Sequence, residues 1–385
     1  MMFMERIEAI NPGRIEWCCF DAGITVEQLA AATKIAPATL ERVMAGESGL
    51  TYGQLSKVAD YFGRGVLFFL EPDPVDDARV YTPQFRTLKN QKPLVSTKVR
   101  KLIERVERQR DVFVRLREDL GDESWPRFEP PNWQNLTPAV AAARARQWLG
   151  LTTQNSFEAH RAAVEARGIL VFRTNGYAGK WQIEKANPVL GFCIYDARCP
   201  VIVVKKQDAL SRQSFTLFHE LGHLLLQRAS SIDEENDFAA PVGNEPAANA
   251  FAGRVLVPDA VLATVHDADR PAEVSEYDAW LSAQRLATGA STDVLLIRLI
   301  GEGRLPQARY DEYQHWRSEQ QPPPPVSPPR KYRYREPKNV FGDSFVRAVF
   351  GALTERYITL PRASTYLDDL KITDLRRLEH EYVGL

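Results

Sequence analysis

Three residues near the middle of the chain have the types and spacing of a metal site. His219, Glu220 and His223 form the pattern H-E-x-x-H within residues 215–227, FTLFHELGHLLLQ. The other residues of this stretch are almost all apolar, which predicts a buried helix. Residues four apart on a helix share a face, so both imidazoles can bind one ion, with Glu220 beside it. Buried polar groups are costly unless they are paired, and a bound zinc ion would pair them.

A catalytic zinc ion takes three protein ligands and keeps one position open for water. Residues 244–258, NEPAANAFAGRVLVP, predict a second buried helix, and Glu245 lies at its start. Pro246 fits the first turn of a helix, where the backbone N–H has no partner to lose. His219, His223 and Glu245 would therefore complete the ligand set. Zinc is the expected metal, and manganese or iron also suits two imidazoles and a carboxylate.

Two further residues have expected roles at this site. Glu220 would accept a proton from the attacking water and pass it to the leaving amine. Asn249 lies one helical turn after Glu245, and it would orient either Glu245 or His219.

The sequence alone leaves alternatives open for the ligands. His219 and His223 can be hydrogen-bonded core residues without a metal, and Glu245 can be an exposed acid that interacts with the helix dipole. The acidic segment at residues 229–242 is predicted to be irregular. It offers three competing third ligands, which are Glu234, Glu235 and Asp237.

Composition and charge indicate a folded protein with no strong overall attraction to anions. The 385 residues exceed one ordinary domain, so two or three domains are expected. A net charge of -1 gives no general pull toward nucleic acid or an anionic membrane. We recognise no run of 18 apolar residues and no signal peptide. The four cysteines are typical of small buried residues in a reducing compartment, so we expect a cytoplasmic protein without a membrane partner.

The N-terminal segment predicts a run of short helices over residues 11–70. Thr39 and Arg42 lie on the helix that is predicted to start near Pro37, and they are the candidates for contacts with DNA or a protein. Residues 1–75 contain six basic and ten acidic residues. Because phosphate contacts dominate DNA affinity, this balance favours a protein partner over DNA.

The middle of the chain predicts an α+β arrangement. Apolar runs predict strands at residues 169–172, 190–195 and 201–204, and the H-E-x-x-H helix follows the third strand. Helical patterns lie on both sides of these strands, which is the order of a compact α+β domain.

Two segments resemble the ImmA/IrrE family of zinc metallopeptidases. They are IVVKKQDALSRQSFTLFHELGHLLL and NEPAANAFAGRVLVP, and the resemblance extends upstream through RGILVF and GFCIYDARCPVIVV. In that family the acid of an E-x-x-A-N helix is the third zinc ligand, which corresponds to Glu245 here. This chain differs in having Pro246 inside that segment. The resemblance implies a small zincin-like core with a short sheet.

The N-terminal segment resembles the phage-repressor (XRE) type of helix-turn-helix domain. The matching stretches are LAAATKIAPATLERVMAGES and LTYGQLSKVADYFG. The fold expected for the whole chain is therefore α+β, with a zincin-like core flanked by mainly α-helical, helix-turn-helix-type domains.

These resemblances and a composition break divide the chain into six expected parts. The break is QQPPPPVSPPR, residues 320–330, which predicts a stiff spacer. The parts are a helix-turn-helix domain at 1–75, a helical linker at 76–130, a zinc metallopeptidase core at 131–265, a helical, helix-turn-helix-like unit at 266–318, a proline-rich linker at 319–331 and a C-terminal helical unit at 332–385.

The family resemblance implies two functions from different classes. Family members include site-specific proteases that cut repressor-like regulators in stress responses or mobile elements. The leading hypothesis is an intracellular zinc endopeptidase that cleaves such a regulatory protein and thereby controls transcription. Other members lie beside toxin genes. The alternative is a helix-turn-helix regulator or antitoxin that binds DNA or a neighbouring toxin, with a structural or silent metal site.

Overall fold

The computed structural model describes residues 6–47, 49–76, 96–121, 125–152, 155–175, 179–207, 209–234, 244–320 and 330–382. The chain folds into two compact units, Met1–Arg105 and Val106–Leu385. Most of the proline-rich stretch, at 321–329, and the candidate ligands Glu235 and Asp237 lie outside the described residues. The six-part division of the chain stays a prediction.

The first unit contains short helices, as expected for residues 11–70. Thr25 and Thr51 each begin a helix with a capping box. In it, the side-chain oxygens of Gln28 and Gln54 accept hydrogen bonds from the backbone N–H groups of the two threonines. The helices are α1 (Pro12–Ala22), α2 (Val26–Thr33), α3 (Pro37–Met44) and α4 (Tyr52–Phe62), and a 3-10 turn follows at Val66–Phe69.

Helix α3 carries the two residues that were predicted to contact DNA or a partner. Leu40 and Val43 are buried in the core of the unit, whereas Arg42 is exposed and Thr39 is half-buried. The helix therefore has one face in the core and presents Arg42 to solvent. The contact role of Thr39 and Arg42 stays a prediction.

The second unit is α+β, as predicted for this part of the chain. Helix α5 (Thr97–Leu120) includes the boundary between the units. Helices before the H-E-x-x-H motif are α6 (Pro138–Leu149) and α7 (Phe157–Glu165). The helices that carry and support the site are α8 (Leu210–Gly222), α9 (Glu245–Leu256) and α10 (Asp259–Leu262).

The remaining elements of the second unit are also helical. Helices α11 (Tyr277–Trp280), α12 (Ser282–Thr288), α13 (Thr292–Gly301) and α14 (Gln307–Glu319) follow α10. Helices α15 (Glu336–Thr354), α16 (Leu360–Tyr366) and α17 (Ile372–Tyr382) form the C-terminal part. Short 3-10 turns occur at Asp267–Asp269, Val274–Glu276 and Arg330–Arg335.

A four-stranded sheet lies at the centre of the second unit among the described residues. The strands are β1 (Leu170–Arg173), β2 (Val189–Ile194), β3 (Val201–Val204) and β4 (Ser231–Glu234), in the order β1-β3-β2-β4. β1 is parallel to β3, whereas β2 is antiparallel to both β3 and β4. The first three strands lie within one residue of their predicted positions, and β4 was not predicted.

Apolar side chains bury both faces of the sheet. Phe218 and Leu221 of α8 share one core with Ile202 of β3. On the other face, the ring of Phe172 lies 5.7 Å from that of Phe341 in α15. None of the described helices is long and apolar enough to cross a membrane.

Helices α8 and α9 pack closely at Gly222. An ideal Cβ at this position would lie 3.2 Å from Phe251 Cδ1 and 3.3 Å from Ala248 Cα, which belong to α9. This spacing is tighter than an ordinary contact, so a larger residue would push α9 away. Because α9 also carries Glu245, the glycine helps to place that carboxylate near the H-E-x-x-H motif.

We predict that Gly222→Ala lowers the free energy of unfolding by about 1–3 kcal/mol, because the methyl group overpacks the α8–α9 contact. Chemical denaturation of the full chain measures this change. Gly301→Ala is the matched control, since a Cβ on Gly301 has no atom within 4 Å among the described residues. Equal stability of the two variants would contradict the proposed close packing.

Candidate metal centre

Helix α8 carries the H-E-x-x-H motif and ends inside it. His219 and Glu220 lie in the last turn of α8, and a π-helical turn begins at His223 and runs to Gln227. Arg228 ends this turn in the left-handed conformation. Residues 215–227, which were predicted to form a single helix, therefore consist of the end of an α-helix followed by a π-helical turn. Single π-helical turns of this kind are frequent at functional sites.

The side chains of the predicted ligands meet at one point. His219 Nε2 lies 3.1 Å from His223 Nε2. Glu245 Oε2 lies 3.1 Å from His219 Nε2 and 3.5 Å from His223 Nε2. The histidines are buried, and the Glu245 side chain is 20% exposed. The structure thus brings together the three residues that the sequence singled out as ligands.

A fourth donor, Asp233, was missed in the sequence. Its Oδ2 lies 3.2 Å from His219 Nε2 and 3.5 Å from His223 Nε2, and its side chain is 1% exposed. Asp233 belongs to β4, so the prediction that residues 229–242 are irregular was wrong at this strand. Successive side chains of a strand point to opposite faces, and the competing candidate Glu234 is not a member of the donor cluster.

The four donors suit a divalent cation. Their ligand atoms all lie within 4.8 Å of one another. Two imidazole Nε2 atoms 3.1 Å apart cannot both direct a proton at each other without repulsion. One cation between them would interact favourably with both lone pairs and both carboxylates. Two nitrogen and two oxygen donors fit zinc, and they also fit manganese or iron.

Neighbouring polar groups orient two of the donors. His223 Nδ1 lies 2.9 Å from Gln227 Oε1, and an amide oxygen can only accept a hydrogen bond. His223 therefore carries a proton on Nδ1 and leaves Nε2 available to a metal. Ser231 donates a hydrogen bond of 2.9 Å to Asp233 Oδ1, which directs Oδ2 toward the histidines. Neither Gln227 nor Ser231 was recognised in the sequence.

Charge interactions within the cluster shift its pKa values when no metal is bound. Burial alone lowers the pKa of His223, but hydrogen bonds to Asp233 and Glu245 outweigh burial and raise the pKa to about 10. The pKa of His219 is raised by the same two carboxylates against the effect of burial. Burial would raise the pKa of Asp233, but the two histidines hold it well below its usual range.

Glu220 lies in the core directly beside these donors. Burial raises the pKa of its carboxyl well above the usual range, and Asp233 adds to this effect. Gly191 of β2 makes room for the side chain, since a Cβ there would lie 2.7 Å from Glu220 Oε1 and 2.6 Å from Thr216 Cγ2. A glycine inside an apolar strand is a sequence signal of such a close approach.

A cavity of about 520 Å³ runs along α8 and α9. Its walls include Phe215 and Thr216 of α8, which precede the H-E-x-x-H motif by less than two turns. Asn249 of α9 also lines it, together with Ile297 of α13 and Tyr310 of α14. The predicted role of Asn249 in orienting a ligand stays a prediction, and the structure places this residue at the cavity wall.

The order of elements and the donor geometry can be compared with known families. Residues 164–299 match the model of the M78 peptidases, the IrrE N-terminal-like domain. The match spans 136 of the 385 residues and contains the whole donor cluster. It supports the ImmA/IrrE resemblance and points to a metallopeptidase, so it does not favour a silent metal site. Residues 1–75 lie outside the match, and their helix-turn-helix assignment stays a prediction. No curated protein matches the chain significantly.

We predict that zinc affinity rises with pH between pH 6 and 8. A metal must displace the protons that the carboxylates hold on His219 and His223, so affinity changes by about tenfold per pH unit for each proton released. Competition with a chelator of known pH dependence measures the dissociation constant. His315→Ala, which removes an exposed histidine elsewhere, should leave the slope unchanged. A zinc affinity that is independent of pH would contradict this assignment.

Proposed function

We propose that the chain is a zinc-dependent endopeptidase that cleaves a regulatory, repressor-like protein and thereby controls transcription. The observation that carries this proposal is the convergence of His219, His223 and Glu245 next to the buried carboxyl of Glu220. The match to the M78 peptidase model supports the same reaction class. The substrate, the regulatory role and the cytoplasmic location belong to the proposal.

The residues of the site supply the proton transfers of peptide hydrolysis. A bound zinc ion would polarise the peptide carbonyl and activate water. Glu220 accepts a proton as the water oxygen bonds to the carbonyl carbon. It returns that proton to the amine nitrogen as the C–N bond breaks. Burial raises the pKa of the Glu220 carboxyl, and a cation bound beside it would lower that pKa, so the site can supply both the carboxylate that accepts the proton and the acid that returns it.

The surroundings of the site suit an extended peptide. β4 forms one edge of the sheet, and a peptide can add to such an edge through backbone hydrogen bonds. The cavity along α8 and α9 has apolar walls, including Phe215 and Ile297, that would hold a substrate side chain. These features favour a protein substrate over a small amide.

The proposed substrate class rests on the first unit and its resemblance to repressor domains. Helix-turn-helix proteins bind the two half-sites of an operator as dimers, so a repressor with a similar domain is the partner that we propose. The acidic balance of residues 1–75 favours protein recognition over DNA contacts. A neighbouring toxin is a further candidate partner of this unit.

The direct test compares wild type with Glu220→Gln on helix-turn-helix repressors that are encoded near the gene. Wild type with bound zinc should cut one repressor at a single position. Glu220→Gln should retain zinc and cleave at least about a hundredfold more slowly, because only the proton acceptor is lost.

Fragment patterns and metal content must be measured on the same samples. Identical cleavage by both proteins would assign the activity to a contaminating protease. Zinc-loaded wild type that cuts none of these repressors would contradict the proposed substrate class.

If α3 recruits the repressor to the site, changes on its exposed face should weaken substrate binding. Replacing both Thr39 and Arg42 by alanine should raise KM for the repressor about tenfold and leave kcat unchanged, because only docking is weakened. Lys57→Ala, which removes an exposed base from α4, is the matched control. Unchanged kinetics in the α3 variant, or tight binding of DNA at low salt that this variant abolishes, would contradict protein recruitment by α3.

A further inference from the structure

We propose that Asp233 is a fourth protein ligand of the metal centre and closes it in the resting chain. The inference rests on the metal site of the proposed function, and it concerns the regulation of that site. A catalytic zinc site keeps one position for water, whereas a site with four protein ligands is closed. Asp233 therefore closes the centre if it binds the metal directly, as Glu245 does.

Five measured separations between donor atoms fit the edges of a tetrahedron around one zinc ion. With zinc ligands at about 2.0–2.1 Å, the edge of a tetrahedron is about 3.3–3.4 Å long. The two histidine Nε2 atoms are 3.1 Å apart. Asp233 Oδ2 lies at 3.2 and 3.5 Å from them, and Glu245 Oε2 lies at 3.1 and 3.5 Å. Five of the six edges thus lie close to the tetrahedral value, and the two carboxylates are equivalent by distance.

Asp233 approaches the histidine nitrogens that would bind the metal, not the nitrogens through which a neighbouring residue orients a histidine. A carboxylate in that supporting role accepts a hydrogen bond from the ring nitrogen that points away from the metal. For His223 that nitrogen is Nδ1, and it is already bonded to Gln227. Asp233 instead approaches the Nε2 atoms of both rings, which are the atoms that Glu245 also approaches.

The Asp233 carboxylate is held in this position from two sides. Its backbone pairs with Gly191 in the β2–β4 ladder, and its Oδ1 accepts the hydrogen bond from Ser231. The side chain is almost fully buried, so it is not a surface acid that lies near the site by chance. The ladder has a register shift between Val189 and Gly191, directly beside Asp233. Irregularities of this kind re-aim side chains next to active sites.

A closed centre has a consequence for activity. Hydrolysis requires Asp233 Oδ2 to leave the metal, so the resting chain should hydrolyse nonspecific peptides slowly. β4 is the edge strand to which a peptide would add, and Asp233 lies on it. Binding of the specific substrate along β4 can therefore be coupled to release of the carboxylate, which would restrict cleavage to the correct protein.

The experiment uses the full chain loaded with Co²⁺ and titrated with acetohydroxamate, a small ligand that needs an open metal position. Visible absorption of Co²⁺ reports the coordination. We expect the wild-type spectrum to resist acetohydroxamate. Asp233→Ala should respond at a concentration at least tenfold lower, because removal of the carboxylate opens a position. Glu234→Ala, which changes the neighbouring acid outside the cluster, is the matched control and should behave as wild type.

Asp233→Asn is the second variant in case the alanine protein fails to fold. It keeps the volume of the side chain, and its weaker neutral ligand should also let acetohydroxamate bind. If wild type responds as readily as the Asp233 variants, or if no protein responds, Asp233 does not close the centre. Either result leaves the Glu220-dependent cleavage test standing. Wild type that takes up no Co²⁺ and no zinc would overturn this inference and the proposed function together.

Discussion

The structure of the second unit depends on one electrostatic constraint. Two buried imidazole Nε2 atoms lie 3.1 Å apart, with the carboxylates of Asp233 and Glu245 beside them. Such a cluster is costly in an apolar core unless a cation satisfies all its members. The elements around it are placed accordingly. The last turn of α8 and the π-helical turn supply the histidines, α9 begins at Glu245, and β4 brings in Asp233.

Local patterns in the sequence predicted the parts of this site that lie on strongly periodic elements. The spacing H-E-x-x-H places both histidines on one face of any helix, independent of the rest of the fold. The apolar neighbours of His219 indicated that this helix is buried. Glu245 was identifiable because a helix-start acid followed by Pro246 and an apolar run is a local signal. Gly222 carries a similar local signal, since a glycine in a buried helix allows another backbone to approach.

The rest of the site depends on tertiary pairing, which a local pattern does not contain. Asp233 lies in a strand of only four residues, and the acids that follow it masked the strand in the sequence. That strand exists because β2 offers it a partner, and its register decides that Asp233 rather than Glu234 joins the cluster. Gln227 lies four residues after His223, so the two side chains share a helical face, but this spacing alone does not show that the amide oxygen meets Nδ1.

Zinc K-edge X-ray absorption of the purified chain measures whether these donors hold one metal ion. We predict one zinc per chain, bound by two imidazoles and by oxygen donors at about 2.0–2.1 Å. Replacing His219 and His223 together by alanine should remove the metal. A chain that retains no zinc, or a zinc ion without imidazole ligands, would contradict a metal centre at these residues.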